Sequence, residues 1–163
     1  MDLDTFNALT PAEAAEVLRP CADVASWIDG LVAGRPYADR DTLLTRAGEV
    51  SAGWGSAEVE AALAQHPRIG ERHAGSGSEA AMSSDEQAAI RDSGGDAQAI
   101  ADGNRIYEET FGRIFLIRAA GRTSAEVLEQ LTERLDNDPA TETAVVAGQL
   151  REIALLRLRG TVA

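Results

Sequence analysis

The chain has 163 residues, and its 27 acidic and 15 basic side chains give a formal net charge of −12. This charge argues against binding to nucleic acid or to an anionic membrane, although a few arginines suffice to form a local site for an anionic small molecule. All 15 basic residues are arginine, so the chain has no lysine for a Schiff base or for a lysine-dependent phosphate loop. A single cysteine, Cys21, excludes an internal disulfide and a cysteine metal cluster.

Length and terminal sequence predict a single domain, residues 1–163, located in the cytoplasm. A chain of this size can bury a hydrophobic core within one domain. Residues Met1–Asp4 lack the basic and apolar regions of a signal peptide, and no apolar run reaches the length of a membrane span. The lone cysteine fits a reducing compartment.

Signals for helices recur along the whole chain, whereas alternating β-branched runs are scarce. Thr10–Glu13 and Thr123–Glu126 are capping boxes, in which threonine and glutamate satisfy each other's main-chain amides at the start of a helix. Trp54, between two predicted helices, is expected in the core. Apolar spacing predicts helices at about residues 10–19, 24–34, 41–52, 56–65, 84–93, 97–111, 123–136 and 140–159. The pattern therefore predicts an all-α, single-domain bundle of about eight helices with one Gly/Ser-rich loop.

Two stretches depart from the helical pattern. Residues 69–84 are rich in glycine and serine and predict an irregular loop, and loops of this length inside a domain are often functional. A helix is expected to resume after the loop and to break at 94–95, where two glycines occur. Residues 113–119 contain a short, fully apolar run, which fits either a buried strand or an extended connection.

Both histidines, His66 and His73, lie beside the predicted loop. His66 follows an apolar helix, so it either caps the helix C-terminus, where the dipole favours an imidazolium, or acts as an acid or base. His73 is predicted to be a solvated loop residue. A metal site built from His66, Glu71 and His73 is disfavoured, because these residues lack the Cys/His pattern of closed zinc sites and have no histidine pair four residues apart on a helix.

Two further ionisable residues allow alternative interpretations. Ser83–Glu86 has the form of a capping box, in which Glu86 would bond back to a helix start. Alternatively, the Glu86 carboxylate lies across the loop from His66, orients the imidazole and raises its pKa. Arg157 lies in an apolar helical sequence, where it either extends to solvent or reaches an anion. Cys21 is expected to be an inert residue at a helix end.

Four short motifs lie in a fixed order along the chain. They are His66-Pro67-Arg68-Ile69-Gly70, Ser83-x-x-Glu86-Gln87, Asn104-x-x-Tyr107-x-x-x-Phe111-Gly112 and Leu156-Arg157-Leu158. In this order and spacing they resemble the bacterial OHCU decarboxylases, which act on 2-oxo-4-hydroxy-4-carboxy-5-ureidoimidazoline (OHCU), a product of urate oxidation. Further similarities at residues 6–9, 34–37, 118–122 and 137–139 extend the resemblance over nearly the whole chain.

The resemblance implies an all-helical enzyme, often dimeric, that needs no cofactor and converts OHCU to (S)-allantoin. It implies that His66 is the catalytic imidazole, that Glu86 is its carboxylate partner and that Arg157 is a substrate-binding cation. No metal ligand is implied. The substrate-binding residues implied by the resemblance are Pro67, Ser83, Glu86, Gln87, Phe115, Leu116, Ile117 and Arg157.

The chemistry of OHCU is compatible with a site of this kind. The ring beside the carboxylated carbon can take up the electron pair left by CO₂, so thiamine, pyridoxal or a metal is not required. The protein then has to orient the ring and deliver one proton to one face. Two other functions also fit the sequence. One is a non-catalytic helical binding module, which would not need His66, Glu86 and Arg157 to converge, and the other is a related helical enzyme acting on another ureide.

Overall fold

Helices make up most of the chain that the structure describes. The computed structural model describes residues 1–64, 66–70, 78–88 and 96–163. Within these ranges it contains nine helices and no strand, so the all-α prediction is confirmed. None of these helices is both long and apolar enough to cross a membrane. The helices are α1 (Leu3–Ala8), α2 (Pro11–Leu18), α3 (Ala25–Ala33), α4 (Arg40–Ser51), α5 (Ser56–Leu63), α6 (Ser78–Glu86), α7 (Ala97–Phe111), α8 (Ser124–Arg134) and α9 (Pro139–Thr161).

Two capping boxes form as predicted and fix where α2 and α8 begin. The Thr10 amide donates to Glu13 Oε2 (2.9 Å), and the Glu13 amide donates to Thr10 Oγ1 (3.3 Å). Thr123 and Glu126 make the same pair of bonds at the start of α8, at 2.7 and 3.3 Å. Because such a cap stabilises a helix by about 1 kcal/mol, these bonds help to define the first residue of each helix.

Helix α1 has no counterpart among the predicted helices. Asp2 caps it by accepting a hydrogen bond from the Thr5 amide (2.8 Å), and Phe6 is its buried residue. Six residues make fewer than two turns. One apolar anchor on such a short helix gives no periodicity for a pattern to detect.

Helix α6 begins earlier than predicted. The sequence predicts an irregular loop over residues 69–84, followed by a helix, but α6 already spans Ser78–Glu86. The Glu-Ala-Ala-Met sequence near its start consists of good helix formers. Helix α6 ends at Glu86, before the predicted end at 93. Residues 71–77 at the centre of the predicted loop, residues 89–93 of the predicted helix and the predicted break at 94–95 lie outside the described residues.

One compact unit of the chain consists of residues 1–62 and 150–163. In this unit α3 packs against α2 and α4. Trp27, fully buried on α3, donates from Nε1 to the Ala47 carbonyl (3.0 Å) and meets Trp54 edge to face, with ring centroids 6.4 Å apart. Trp54 is 8% exposed, which confirms the prediction that it lies in the core.

The two ends of the chain lie side by side in this unit. The amino group of Met1 donates to the Thr161 carbonyl (2.8 Å), and the Ala163 amide donates to the Met1 carbonyl (2.8 Å). These bonds join the residues before α1 to the end of α9. Helices from opposite ends of the sequence therefore belong to one unit.

The second compact unit consists of residues 63–149. Here α7 packs against α8, and a Cβ added to Gly103 would lie 1.9 Å from Leu131 Cδ2. Glycine therefore permits this close approach between the two helices. The core of the unit is a cluster of buried residues: Ile69, Ile100, Tyr107, Phe115, Ile117, Ala119, Val127 and Leu131.

The chain leaves α7 through a left-handed glycine and then continues without a helix. Gly112 has a φ of +68°, and its amide donates to the Glu108 carbonyl (2.9 Å), which caps the helix C-terminus. Residues 113–119 form neither a helix nor a strand. Of the two predicted alternatives, the connection rather than the strand is therefore present. Phe115–Ile117 are nevertheless buried, each no more than 5% exposed.

Candidate active site

The segment His66–Gly70 follows α5, which ends at Leu63. The amide of His66 donates to the Leu63 carbonyl (3.0 Å), so the main chain of His66 satisfies one of the last acceptors of the helix. This bond gives His66 part of the capping role that the sequence allowed, and it uses the main chain rather than the imidazole. The His66 residue is half-buried.

Two amide side chains hold the other end of this segment. The Gly70 amide donates to Gln87 Oε1 (2.8 Å), and Asn104 Nδ2 donates to the Ile69 carbonyl (3.1 Å). Gln87 follows α6 and Asn104 lies on α7, so three of the four family-like motifs are joined by hydrogen bonds within the second unit. Gly70 has a φ of +87°, a left-handed conformation that favours glycine at this position.

An ion pair adds a third connection between the His66–Gly70 segment and α7. Arg68 Nη2 lies 2.9 Å from Glu108 Oε2, and Arg68 Nε donates to the other carboxylate oxygen. The hydrogen bonds from Arg68 lower the pKa of Glu108 from its ordinary value of 4.5. The Arg68 and Glu108 side chains are 45% and 28% exposed, so solvent screens this pair and its role is to orient the segment more than to stabilise the fold.

The structure overturns the capping-box interpretation of Ser83–Glu86. Ser83 lies in the last turns of α6 and Glu86 is its final residue, so Glu86 cannot bond back to a helix start. The helix begins at Ser78, five residues before the proposed cap. Ser83 and Gln87 are buried and Glu86 is half-buried. Gln87, predicted to bind substrate, is engaged through Oε1 with the Gly70 amide.

The main chain of Phe115–Ile117 is fixed by side chains from other helices of the same unit. Arg134 Nη1, on α8, donates to the Leu116 carbonyl (2.7 Å), and the Arg118 amide donates to Oε1 of Gln149 on α9 (2.8 Å). Two helices thus define the course of a connection that has no helix or strand bonds of its own.

Sequence reasoning did not detect a buried polar network around Arg134. Arg134 and Glu142 form an ion pair with exposures of 5% and 0%, and the Tyr107 hydroxyl donates to the same carboxylate. Burial and the hydrogen bond to Glu142 raise the pKa of Tyr107. The positions of these two charged residues on apolar helix faces could have indicated that they are buried. Arg134 is three residues after Leu131 on the apolar face of α8, and Glu142 is four before Val146 on that of α9.

Arg157 is buried rather than extended to solvent. It is 5% exposed, and its Nη1 donates to the Pro20 carbonyl (3.1 Å). The interpretation that Arg157 extends to solvent is therefore wrong. Arg157 belongs to the first unit and His66 to the second, so their convergence in one pocket is still a prediction.

Cys21 is also buried in the first unit, with Sγ 3.5 Å from Thr161 Oγ1. Burial raises the pKa of its thiol, in agreement with an inert residue. Among the described residues, no group of three or more His, Cys, Asp or Glu side chains could hold a metal ion. The disfavoured site from His66, Glu71 and His73 includes two residues outside the described ranges.

Comparison with protein families places the chain in a defined class, the enzymes that remove a carboxyl group from a product of urate oxidation. The family model for OHCU decarboxylase matches residues 7–159. The chain belongs to the OHCU decarboxylase family, which confirms the resemblance seen in the motifs.

Curated relatives support the same family. The 2-oxo-4-hydroxy-4-carboxy-5-ureidoimidazoline decarboxylase of Amia calva is 31% identical over 170 aligned residues, covering 99% of this chain and 95% of that protein. The uric acid degradation bifunctional protein of Bacillus sp. (strain TB-90) is 23% identical over 172 aligned residues. That alignment covers 98% of this chain but only 32% of the bifunctional protein.

A solved structure supports the fold. The crystal structure of an OHCU decarboxylase in the presence of (S)-allantoin superposes with a TM-score of 0.72 and 25% sequence identity. The match covers 86% of this chain and 92% of that chain. The helical arrangement of this chain is therefore similar to that of an OHCU decarboxylase along most of both sequences.

Proposed function

We propose that this protein is a carboxy-lyase that converts OHCU to (S)-allantoin in urate degradation without a cofactor. Family membership over residues 7–159 supports the reaction class, and the similar structure obtained with (S)-allantoin supports the product. The observation that carries the proposal is the connection of the family-like motifs, since the segment that begins with His66 is hydrogen-bonded to Gln87 and Asn104.

The proposed reaction exchanges one CO₂ for one proton. Breaking the bond to the carboxylate leaves an electron pair that the neighbouring unsaturated ring delocalises, and a proton then adds to one face. The protein orients the ring, stabilises the developing charge and delivers the proton. Delivery to a single face accounts for a single enantiomer of the product.

In this proposal His66 is the acid or base, and Glu86 orients it and favours its protonated form. Glu86 immediately precedes Gln87, which bonds to Gly70 at the other end of the His66–Gly70 segment. This short link supports the pairing of the two motifs. Arg157 is assigned as a charge-assisted anchor for a substrate carbonyl or carboxylate.

In this proposal the remaining assigned residues contact the substrate. Pro67 follows His66 in sequence and Gln87 follows Glu86. Gln87 also holds the His66–Gly70 segment through its bond to the Gly70 amide. Buried Ser83 and the main chain of Phe115–Ile117 are assigned to contact the ring. OHCU is the proposed partner. No contact with nucleic acid or a membrane is proposed.

We further propose that residues 1–163 act as a single catalytic domain, located in the cytoplasm and able to assemble as a homodimer. The family match, which extends from residue 7 to residue 159, supports one domain. The net charge of −12 argues against anionic macromolecules as partners.

A direct assay tests the proposed function. Urate oxidised enzymatically in the presence of a hydroxyisourate hydrolase generates OHCU, whose decay is followed by absorbance and whose product is followed by circular dichroism. Added protein should accelerate the decay and give (S)-allantoin instead of a racemate. If neither the rate nor the handedness changes, the proposal is wrong, and a non-catalytic binding module becomes the better interpretation.

A further inference from the structure

The connection Phe115–Ile117 is held along one edge by two side chains. Arg134 donates to the Leu116 carbonyl, and Gln149 accepts from the Arg118 amide. In an extended chain, main-chain groups two residues apart face the same edge. Neither bond uses the main-chain groups of Phe115 or Ile117, which would face the opposite edge of an extended chain.

Arg134 is itself fixed in place. Its Nε donates to Glu142 Oε1 (2.9 Å), and the guanidinium carbon lies 4.5 Å from the centroid of the Phe115 ring. The Glu142 carboxylate also accepts hydrogen bonds from Tyr107 and from Asn137 Nδ2 (2.8 Å). Every rotation of the guanidinium away from Leu116 would therefore break bonds within the network.

Stability alone is a weak explanation for this network. Removing two charges from water is costly, and a buried ion pair can often be replaced by apolar residues without loss of stability. Arg134 and Glu142 are both almost completely buried. What an apolar pair could not supply is a directed donor for the Leu116 carbonyl.

We propose that Arg134 and Gln149 are positioning residues that hold the Phe115–Ile117 main chain in the geometry required to bind substrate. The inference rests on the proposed function, which assigns this main chain to the substrate. A ureidoimidazoline carries N–H donors and carbonyl acceptors, which are the same kinds of group that an extended main chain presents along its edge. A fixed edge binds such a ligand without first losing conformational entropy.

Gln149 provides the sharper test, because it is uncharged and only half-buried. Gln149→Met removes the acceptor for the Arg118 amide, whereas Gln149→Glu retains an oxygen at the same position. We expect Gln149→Met to raise KM for OHCU about five- to tenfold with little change in kcat, since the lost interaction acts equally on substrate and transition state. Gln149→Glu should restore KM to within about twofold of the wild-type value.

The Arg134 contact requires a paired change, because a lone buried carboxylate would be destabilising. In Arg134→Met/Glu142→Gln both charges are removed, and the amide oxygen introduced on α9 can still accept from the Tyr107 hydroxyl. We expect the KM of this variant to rise at least about tenfold, and amide hydrogen exchange at Leu116–Arg118 to accelerate. Gly103→Ala, which perturbs the α7–α8 contact in the same unit, is the control for lost stability, and its KM should not change.

The outcomes separate this inference from the proposed function. If the wild-type protein does not accelerate OHCU decay, the proposed function fails, and this inference fails with it. If the wild type is active but Gln149→Met keeps the wild-type KM, only the positioning role is wrong. Equal impairment of Gln149→Met and Gln149→Glu would also overturn it, because the acceptor would then be irrelevant. The Gln149 comparison decides the matter even if the double variant does not fold.

Discussion

At the scale of single residues, the short motifs indicated the enzyme family correctly but did not predict the local structure of each motif. Ser83–Glu86 fits the capping-box pattern, yet Glu86 ends α6. The pattern depends on where the helix begins, and the residues that start α6 at Ser78 lie outside the motif. Gln87 and Asn104 both belong to the motifs, but nothing in the sequence predicts that their side chains hold the His66–Gly70 segment by hydrogen bonds.

The roles assigned to His66 and Glu86 can be tested with nearly isosteric changes. His66→Asn should remove most of the turnover, and Glu86→Gln should lower kcat by about 10²–10⁴, since this is the usual contribution of acid–base assistance. The far-ultraviolet circular dichroism of both variants should match the wild type, because His66→Asn keeps the main-chain amide that donates to Leu63 and Glu86→Gln keeps the size and shape of the last side chain of α6. Full activity of Glu86→Gln would make the carboxylate a structural group.

At the scale of helices, caps and apolar spacing predicted the helix ends that are determined by residues close in sequence. α2 and α8 begin at their predicted capping boxes, and α3 ends at the predicted glycine, Gly34. The close contact of α7 with α8 could not be predicted, because Gly103 in a helical pattern reads only as a weak helix former. Its partner Leu131 is 28 residues away, and the 1.9 Å approach exists only once both helices are packed.

Gly103→Ala should therefore destabilise the protein although alanine favours helices. The added methyl group would displace the buried Leu131 side chain, and overpacking of this kind costs about 1–3 kcal/mol. Gly48→Ala in α4 is the matched control, since a Cβ there meets nothing within 4 Å and should stabilise by up to about 1 kcal/mol. Urea unfolding of the two variants measures both effects. Equal stability changes of the same sign would contradict the packing argument.

The Arg68–Glu108 pair predicts a stability contribution that depends on pH. The pKa of Glu108 is lower in the folded protein than its ordinary value of 4.5, so the contribution is complete above that value and is lost as the pH falls through the folded pKa. Glu108→Gln should reduce the free energy of unfolding at pH 7 by up to about 1 kcal/mol, because the pair is partly exposed. The difference from the wild type should shrink when the measurement is repeated well below pH 4.5, because the carboxylate is protonated as the pH falls through its lowered pKa in the folded protein.

Glu109→Gln supplies the comparison for this measurement. Glu109 pairs with Arg105 one turn away on the same helix, and the two side chains are 65% and 63% exposed. We expect no measurable change in stability at either pH. A pH-dependent loss equal to that of Glu108→Gln would show that the effect is not specific to the His66–Gly70 segment.

At the scale of the whole molecule, the sequence predicted the fold class and the family but not the pairing of distant side chains. Val127 and Leu131 recur at helical spacing and identify the buried face of α8, whereas Arg134 on the same face reads as a residue that would extend to solvent. Its partner Glu142 lies beyond a turn, on the next helix. A local pattern carries no information on which buried charges meet, because that depends on packing between helices.

The composition of the whole chain and the chemistry of the substrate predict that the activity needs no cofactor. The chain has one cysteine, two histidines and no lysine, and its substrate can delocalise the electron pair left by CO₂. Activity should therefore survive exhaustive treatment with EDTA, measured as the rate of OHCU decay before and after dialysis. Loss of activity that one added metal restores would contradict this mechanism and favour the site from His66, Glu71 and His73.

Met1 and Ala163 are joined by a main-chain hydrogen bond within the first unit. A short peptide could join the two ends, and the chain could be reopened in the turn at 136–138 between α8 and α9 without cutting a helix. Such a circular permutant would keep the same helices in a different linear order. For the same reason, a host protein could carry this sequence as an insertion in one surface loop, entering and leaving it at neighbouring points.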